Sequence, residues 1–478
     1  MSCNLPSPTC SRGAGSRVFI VLLGILIVSS WTLAGCGSAA PVEDVEPTFE
    51  LPADWHHSTA GVEDFDPGWC ADFGEPSLEA LIENVLEQNL DLRIAESRIQ
   101  QARALLRQSR ASRHPRVGIG AHTEGELGPD GWEQEYEISA PVSYEVDLWG
   151  RIRSQISAAE FDLEAAELDL RTFELALASE TAENYFELAR VRSELRLLDN
   201  QLENAETFLE LTHIRHRQGM ANAIDVVQQQ QQIEELREAR LRAELDETLV
   251  LSAIAALLGQ PQGDLEVASA DELPEVLPVV ADFLPADLLT RRPDVRGAHL
   301  RVTAADQRIE AALAERLPRL QLSASLALQA MNIQQLFEFL FVTVAGSLTQ
   351  PLWEGGRIQG RIEEEEAIKE RQLLEYSATL LEAIREVEDS LARGQALHEI
   401  SKTQRLQLES AREALSLARE QYRAGILDYL RVLTALQSVQ SLELAELDSK
   451  RILLSQRIQL CRASGGYWPE PTSDENQP

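Results

Sequence analysis

The feature that most restricts the fold of this chain is a run of 68 residues, positions 151–218, that contains neither glycine nor proline. Glycine and proline are the residues that most weaken a helix interior, so their absence permits one continuous helix. Such a helix would be about 100 Å long at 1.5 Å per residue. Gly219 ends the run, and residues 222–258 form a second stretch without either residue. The sequence therefore predicts a very long helix followed by a shorter helix that returns antiparallel to it.

The chain is also internally duplicated, because four short motifs of the first half return in the same order in the second half. Residues 89–95 and 114–117 match residues 292–298 and 317–320 at an offset of 203, and residues 150–152 and 217–220 match residues 356–358 and 423–426 at an offset of 206. Ordered motifs over this distance indicate two copies of one structural unit. We place the first repeat (helix, two strands, long helix, helix) at 77–262, a linker at 263–284 and the second repeat at 285–464.

Apolar and polar residues alternate between the helical parts of each repeat, as is typical of β-strands. The alternation covers residues 117–121, 135–147, 320–329 and 342–349. A tilted strand that crosses a bilayer needs about 9–11 residues, although a half-buried sheet of a soluble protein would share the pattern. Four strands cannot close on themselves, and open edges are not tolerated in lipid. In a membrane the chain would therefore share a barrel of eight, twelve or more strands with copies of itself.

Charge and motif content exclude several classes of function. The chain has 43 Lys and Arg residues against 78 Asp and Glu residues, for a formal net charge of −35. A surface this acidic repels phosphate backbones, which excludes nucleic-acid binding as the main activity. The sequence contains no GxSxG, Walker A or HExxH motif and no zinc-type cysteine spacing. We therefore expect no enzyme activity, no metal site and no cofactor.

The N-terminus has the pattern of a bacterial signal peptide, with two arginines before an apolar segment that is too short to span a membrane comfortably. The segment ends in Leu-Ala-Gly-Cys, which resembles a lipobox, so residues 1–35 would be removed and Cys36 would carry a covalent lipid. An Asp directly after the lipidated cysteine resembles a signal for retention in the inner membrane. This chain has Gly37 at that position, which favours the outer membrane. Residues 36–76 are then a lipidated acidic leader, and residues 465–478 are a disordered acidic tail.

Several motifs together resemble those of the outer membrane efflux protein family, the TolC-type channels. They are SYEVDLWGRIRSQ, ADLLTRRPDVRGA, QPLWEGGRI and QYRAGILDYLRVLTALQS. The resemblance covers residues 69–460 and points to the lipoprotein branch that serves tripartite resistance-nodulation-division efflux pumps. It implies a mainly α protein with a β-barrel, in which a homotrimer shares twelve strands in outer-membrane lipid and extends an α-helical tunnel into the periplasm.

The resemblance also implies a function and its partners. The channel would passively conduct small molecules to the outside from an inner-membrane pump and a periplasmic adaptor protein. Two alternatives stay open: a lipid-anchored coiled-coil scaffold without a pore, and the outer-membrane duct of a type I secretion system.

Candidate site residues follow from the same resemblance. The adaptor would dock at the helix-hairpin tips, on Arg217, Gly219, Arg423, Gly425, Asp428, Tyr429 and Leu430. Two tip positions that are commonly acidic in the family are here Arg431 and Thr434, and Asp225 of the first repeat could supply one acidic ring at the entrance constriction. Gly150 and Gly356 lie where a strand must turn sharply into a long helix, which is a structural role.

Two cysteines lie near the ends that the family places in one equatorial domain. Cys70 and Cys461 could form a disulfide in the oxidising periplasm, or they could be two separate buried thiols.

Lipidation is testable at the lipobox. Radiolabelled palmitate should be incorporated into the wild-type protein and not into the Cys36→Ser variant, because the thiol carries the diacylglycerol whose acyl chains take up the label. Equal labelling of the two proteins would contradict the prediction.

Overall fold

The structure is a computed structural model that describes residues 46–56, 73–128, 131–263, 267–268, 272–275 and 284–466. Cys36, Cys70 and residues 467–478 lie outside the described residues. The helices are α1 (Pro76–Gln88), α2 (Leu90–Ala111), α3 (Arg151–Arg217), α4 (Ala223–Leu257), α5 (Leu288–Arg291), α6 (Pro293–Ala314), α7 (Arg357–Arg423) and α8 (Tyr429–Ala463). The strands are β1 (Arg116–Val117), β2 (Gly120–Gly128), β3 (Gly131–Val146), β4 (Arg319–Ala330) and β5 (Leu340–Thr349).

The two halves repeat the same elements with matching lengths. Helices α2 and α6 have 22 residues each, α3 and α7 have 67 each, and α4 and α8 have 35 each. A helix of 67 residues is about 100 Å long, as the sequence predicts. The repeat and linker boundaries themselves stay a prediction. None of the described helices is both long and apolar enough to cross a membrane.

The long helices pack as antiparallel coiled-coil hairpins. Leu408, Leu415 and Tyr422 of α7 recur every seven residues and are buried against Val432 and Val439 of α8. In the first repeat, Leu198 and Ala205 of α3 are buried against the residues Ile233, Leu236 and Ala243 of α4. A seven-residue apolar repeat keeps one stripe of each helix facing its partner, which is why chains this long stay paired.

The strands form one antiparallel sheet. Both β1 and β2 pair with β3 and together make one edge, interrupted at residues 118–119; β3 pairs with β4, and β4 pairs with β5, the other edge. The β3–β4 pairing, from Val146 opposite Leu320 to Tyr136 opposite Ala330, joins the two repeats. Strand β3, at 16 residues, is longer than the predicted alternation because its hairpin with β2 starts at Gly131.

An apolar core lies where the short helices meet the middle of the long ones. Part of the acidic leader reaches this core: Trp55 is buried with Leu288, Val302 and Leu380. The N–H of Thr48 donates to Ser377 Oγ (3.1 Å).

Arg292, in the RRPDVR motif, fixes three helices in this region. Its side chain, which is 9% exposed, binds Asp294 at 2.6 Å on α6 and Glu386 at 2.7 Å on α7. It also donates to the carbonyl oxygen of Ala463 (3.1 Å), the last residue of α8. One guanidinium therefore holds the start of one helix, the middle of another and the end of a third.

We expect Arg292→Ala to destabilise the protein by about 3 kcal/mol or more, because Asp294 loses its cation near a buried site and Glu386 keeps a longer contact to Arg462 (3.7 Å). The thermal midpoint, followed by circular dichroism, should fall accordingly. Arg296→Ala is the control, because Arg296 lies on the same helix and is exposed; it should change stability by no more than about 0.5 kcal/mol. Equal midpoints for the two variants would contradict the role of Arg292.

Candidate functional site

The first helix-hairpin tip is closed by backbone hydrogen bonds. After α3 ends at Arg217, Gly219 takes a φ of 73°, in the left-handed region that favours glycine. The N–H of Gly219 donates to the carbonyl of His216 (2.9 Å), and the N–H of Met220 donates to the carbonyl of Arg215 (2.9 Å). This pair of bonds is a Schellman motif, which satisfies the last carbonyls of a helix.

The second tip is built in the same way. Gly425 has a φ of 76°, its N–H donates to the carbonyl of Tyr422 (3.0 Å), and the N–H of Ile426 donates to the carbonyl of Gln421 (2.9 Å). A Cβ at either tip glycine would meet no atom within 4 Å, so the backbone conformation, not space, selects glycine. Asp428 then caps α8 by accepting the N–H of Arg431 (3.2 Å).

Most of the predicted docking residues are exposed at these tips. Arg217, Gly219, Arg423, Gly425, Asp428 and Leu430 are all exposed. Four apolar residues that the sequence interpretation did not single out are exposed beside them: Met220, Ile224, Val227 and Ile426. Met220 and Ile426 directly follow the tip glycines. An apolar residue at that position is the sequence signal from which their exposure could have been predicted. The tip surface is therefore a mixture of apolar side chains and cations.

Tyr429 corrects the prediction, because its side chain is only 2% exposed and a partner protein cannot reach it. The ring packs against Phe208 (centroid distance 5.9 Å) and Tyr422 (6.4 Å), and the hydroxyl donates to Gln229 Oε1. Burial raises the pKa of Tyr429, so the phenol keeps its proton and acts as a donor. Tyr429 therefore ties the two hairpins together.

Buried glutamines extend this connection along the hairpins. Gln232 donates to Gln440 Oε1 (3.2 Å) and accepts from Gln437 (2.8 Å), which links α4 to α8. Further from the tip, Gln201 of α3 donates to Glu443 of α8 (3.2 Å). The sequence interpretation missed these contacts because a glutamine run gives no apolar signal. The side-chain bonds couple the hairpins of the two repeats near their ends.

The candidate constriction residues lie on different helices. Asp225 of α4 is half-buried and accepts the N–H of Asn222 (2.9 Å), so it caps its own helix. Arg431 and Thr434 of α8 are exposed, and the Thr434 hydroxyl donates to the carbonyl of Leu430 (2.9 Å). The constriction stays a prediction.

The two strand-to-helix turns share a left-handed glycine but differ in their other contacts. Gly150 has a φ of 82°, and Gly356 has a φ of 90°. In the first turn, Asp147 accepts the N–H groups of Ile152 (3.1 Å) and Arg153 (2.9 Å) at the start of α3. The Trp149 indole donates to the carbonyl of Pro318 (2.7 Å) in the second repeat. At the second turn, the position that corresponds to Asp147 lies 206 residues later and is occupied by Trp353. The Trp353 side chain is 88% exposed.

The sheet has one apolar face and one polar face. On the polar face, Glu124 lies opposite Glu135 and Glu126 lies opposite Glu133. Carboxylates directly opposite each other repel, so this face requires water. The other face carries Ile138, Val142 and similar side chains.

Within the described part of the chain, no three metal-ligating side chains come together. Cys461 is buried, and Cys70 lies outside the described residues, so the disulfide stays a prediction.

A sequence profile of outer membrane efflux proteins matches residues 81–260 and 284–466. The chain belongs to this family. The resemblance inferred from the motifs is confirmed, and so is the location in the outer membrane.

Individual relatives match over almost the whole chain. The pyoverdine export outer membrane protein OpmQ of Pseudomonas putida is 30% identical over 465 residues, which cover 93% of this chain and 97% of that protein. The probable outer membrane lipoprotein SilC of Salmonella typhimurium is 27% identical, with 94% and 99% covered. The solved structure of the outer-membrane channel OprN is similar at a TM-score of 0.81 and 26% identity, covering 89% of this chain and 99% of that chain.

The hairpin contact through Tyr429 is testable by removing single hydroxyl groups. Tyr429→Phe leaves Gln229 Oε1 buried without its donor and should cost about 1–3 kcal/mol, seen as faster amide hydrogen exchange in the first turns of α8. Tyr422→Phe is the matched control, because the buried Tyr422 hydroxyl has no hydrogen-bond partner among the described residues. Equal exchange in the two variants would contradict the contact.

Proposed function

We propose that this outer-membrane efflux protein forms the exit duct of a tripartite pump as a homotrimer with one shared twelve-stranded barrel. The observation that carries this proposal is the sheet, which places a hydrated acidic face opposite an apolar one and leaves an edge at β1/β2 and another at β5. Three copies of a four-stranded sheet close into a barrel whose lumen is wide enough for water.

Exposed apolar side chains along the strands support the membrane assignment. Val342, Val344 and Leu348 of β5 share the face that carries Ile138 and Val142 of β3. These side chains are exposed or half-buried in one protomer, where nothing but lipid or another copy could cover them. The lipid anchor on Cys36 would add to an attachment that the barrel already provides.

The tip surface supports docking of a periplasmic adaptor. The exposed Ile426 and Leu430 offer apolar contacts, and Arg217 and Arg423 offer planar donors to carboxylates or carbonyls.

Transport would be passive in this chain, and an inner-membrane pump would supply the energy. The relatives are named for pyoverdine export, toluene efflux and antibiotic efflux, so one duct architecture accompanies different cargo. We therefore assign the choice of substrate to the pump.

Conductance tests the duct. The purified protein in planar bilayers should give discrete channel events with a preference for cations, because the lumen face is acidic. Replacing Glu124 and Glu126 by Gln should lower the cation-to-anion permeability ratio and leave the channel open. A protein that inserts but never conducts would instead be a scaffold without a pore.

Bulk at a tip tests adaptor docking. Gly425→Trp strains the left-handed tip at a local cost of about 1–2 kcal/mol. Trimers should still form and conduct, but efflux in cells should be abolished, because a large side chain blocks the approach of partner helices. Gly425→Asn is the matched control, since asparagine tolerates the left-handed conformation and adds little volume. Gly356→Trp, at the strand-to-helix turn, should lower trimer yield itself. Normal efflux by Gly425→Trp would show that docking does not use this tip.

A further inference from the structure

Two arginines lie on the described strands, and they occupy equivalent positions of the two repeats. Strands β1–β5 contain six glutamates but no lysine, and their only arginines are Arg116 and Arg319. The two lie 203 residues apart, in the motifs HPRV and LPRL that recur between the halves of the chain. Arg116 is the first residue of β1, and Arg319 is the first residue of β4. The same cation therefore marks the same end of the sheet twice.

Both arginines lie on the polar face of the sheet. Arg116 is opposite Ser143 of β3, which shares the face of Glu137 because six residues separate the two along one strand. Arg319 shares its face with Gln329, ten residues further along β4, and Gln329 lies opposite Glu137. The face that carries the glutamates therefore also carries these two cations.

The polar face has a cationic end and an acidic end. Five of the six glutamates lie in the β2–β3 hairpin: Glu124, Glu126, Glu133, Glu135 and Glu137. The position opposite Arg116 is six residues from Glu137 along β3, which is about 20 Å. This distance is more than twice the screening length of about 8 Å at physiological salt. The glutamates of the hairpin therefore do not neutralise the arginines.

Arg319 shares its nearest carboxylate with two other cations. The Glu315 side chain is 7% exposed and lies 3.8 Å from Arg319. It also lies 3.8 Å from Arg357 and 3.4 Å from Arg361. One carboxylate cannot neutralise three guanidinium groups, and the Arg319 side chain is still 41% exposed. Its donors are therefore accessible to another anion.

Arg116 is exposed and makes no ion pair or side-chain hydrogen bond among the described residues. Glu145, two residues beyond Ser143, is bound to Arg151 instead (2.7 Å). The strand-to-helix boundary as a whole carries eight arginines and four carboxylates, in residues 113–117, 145–153, 315–321 and 353–361. In a chain of net charge −35, this boundary is a local cationic zone.

We propose that Arg116 and Arg319 form a ring inside the duct that binds oxyanions, a conclusion that rests on the proposed trimer and its polar lumen. Three copies would place six guanidinium groups at one level, because the two positions are equivalent in the repeat. A guanidinium presents planar N–H donors that match carboxylate, phosphate and sulfonate groups. The ring would hold solutes that bear such groups where the helices meet the barrel. The acidic end lowers the concentration of external anions that reach it.

Block by inorganic tripolyphosphate tests the ring. In planar bilayers, tripolyphosphate should reduce the current through the wild-type channel, and more strongly from the helix side than from the barrel mouth. Arg116→Gln with Arg319→Gln should weaken the block by about tenfold, because charge-assisted donors are lost. The same variant should raise the cation-to-anion permeability ratio. Arg116→Gln alone breaks no side-chain contact among the described residues and should weaken the block in the same direction.

Arg93→Gln with Arg296→Gln is the matched control. These two arginines are also 203 residues apart and exposed, and Arg93 lies about 27 Å from the end of α2 that precedes the strands. The control removes the same charge from each chain and should be blocked like the wild type. Arg116→Lys with Arg319→Lys keeps the charge without the planar fork. Its permeability ratio should stay near wild type, while the block by tripolyphosphate weakens.

Trimer yield, measured on unheated gels, separates the possible failures. If the double glutamine variant forms conducting trimers that are blocked like the wild type, the ring does not bind oxyanions and the proposed duct stands. If trimer yield falls while the trimers that form are still blocked, the arginines serve subunit contacts and the inference is wrong. If the wild-type protein forms no channel, the proposed function fails and this inference fails with it.

Discussion

A strand at the edge of a sheet has a row of N–H and C=O groups without partners, and in hydrocarbon each of these groups costs several kcal/mol. In the described sheet this row occurs along β1 and β2 and again along β5, while β3 and β4 are paired on both sides. The apolar face of the same strands requires lipid. The chain therefore has to find partners for its edges, and the proposed ring of three copies would supply them.

The helices would have to match the proposed ring, and their lengths show how. Each repeat places 68 residues between its strand-to-helix glycine and its tip glycine, and 67 of them form the long helix. One extra residue in one repeat would move its tip by about 1.5 Å and rotate the apolar stripe by roughly 100°. Equal lengths bring both tips to the same distance along the bundle. The bonds from Tyr429 to Gln229 and from Gln232 to Gln440 can then form across the two hairpins.

Much of this fold could be predicted from the sequence. The absence of Gly and Pro predicted the first long helix, and the internal repeat predicted the second, which contains Gly360 and Gly394. The alternating pattern predicted the strands, because this signal is local. The tip glycines were also predicted, since Gly219 and Gly425 interrupt uniform helical sequence. The burial of Tyr429 was not predicted, because the first turn of a helix gives no sign of which neighbour covers it. The contrast between Asp147 and Trp353 also appears only when the two turns are compared in space.

The tips have one more consequence, which concerns how such a protein can change over generations. Each turn is closed by backbone bonds around a glycine in the left-handed conformation, and Asp225 and Asp428 cap the helices that follow. None of these bonds uses the side chain of an exposed apolar residue. Substitutions at Met220, Ile224, Ile426 or Leu430 should therefore alter the outer surface at small cost in stability. A duplicated gene could in this way acquire a new adaptor while its barrel and helices remain unchanged.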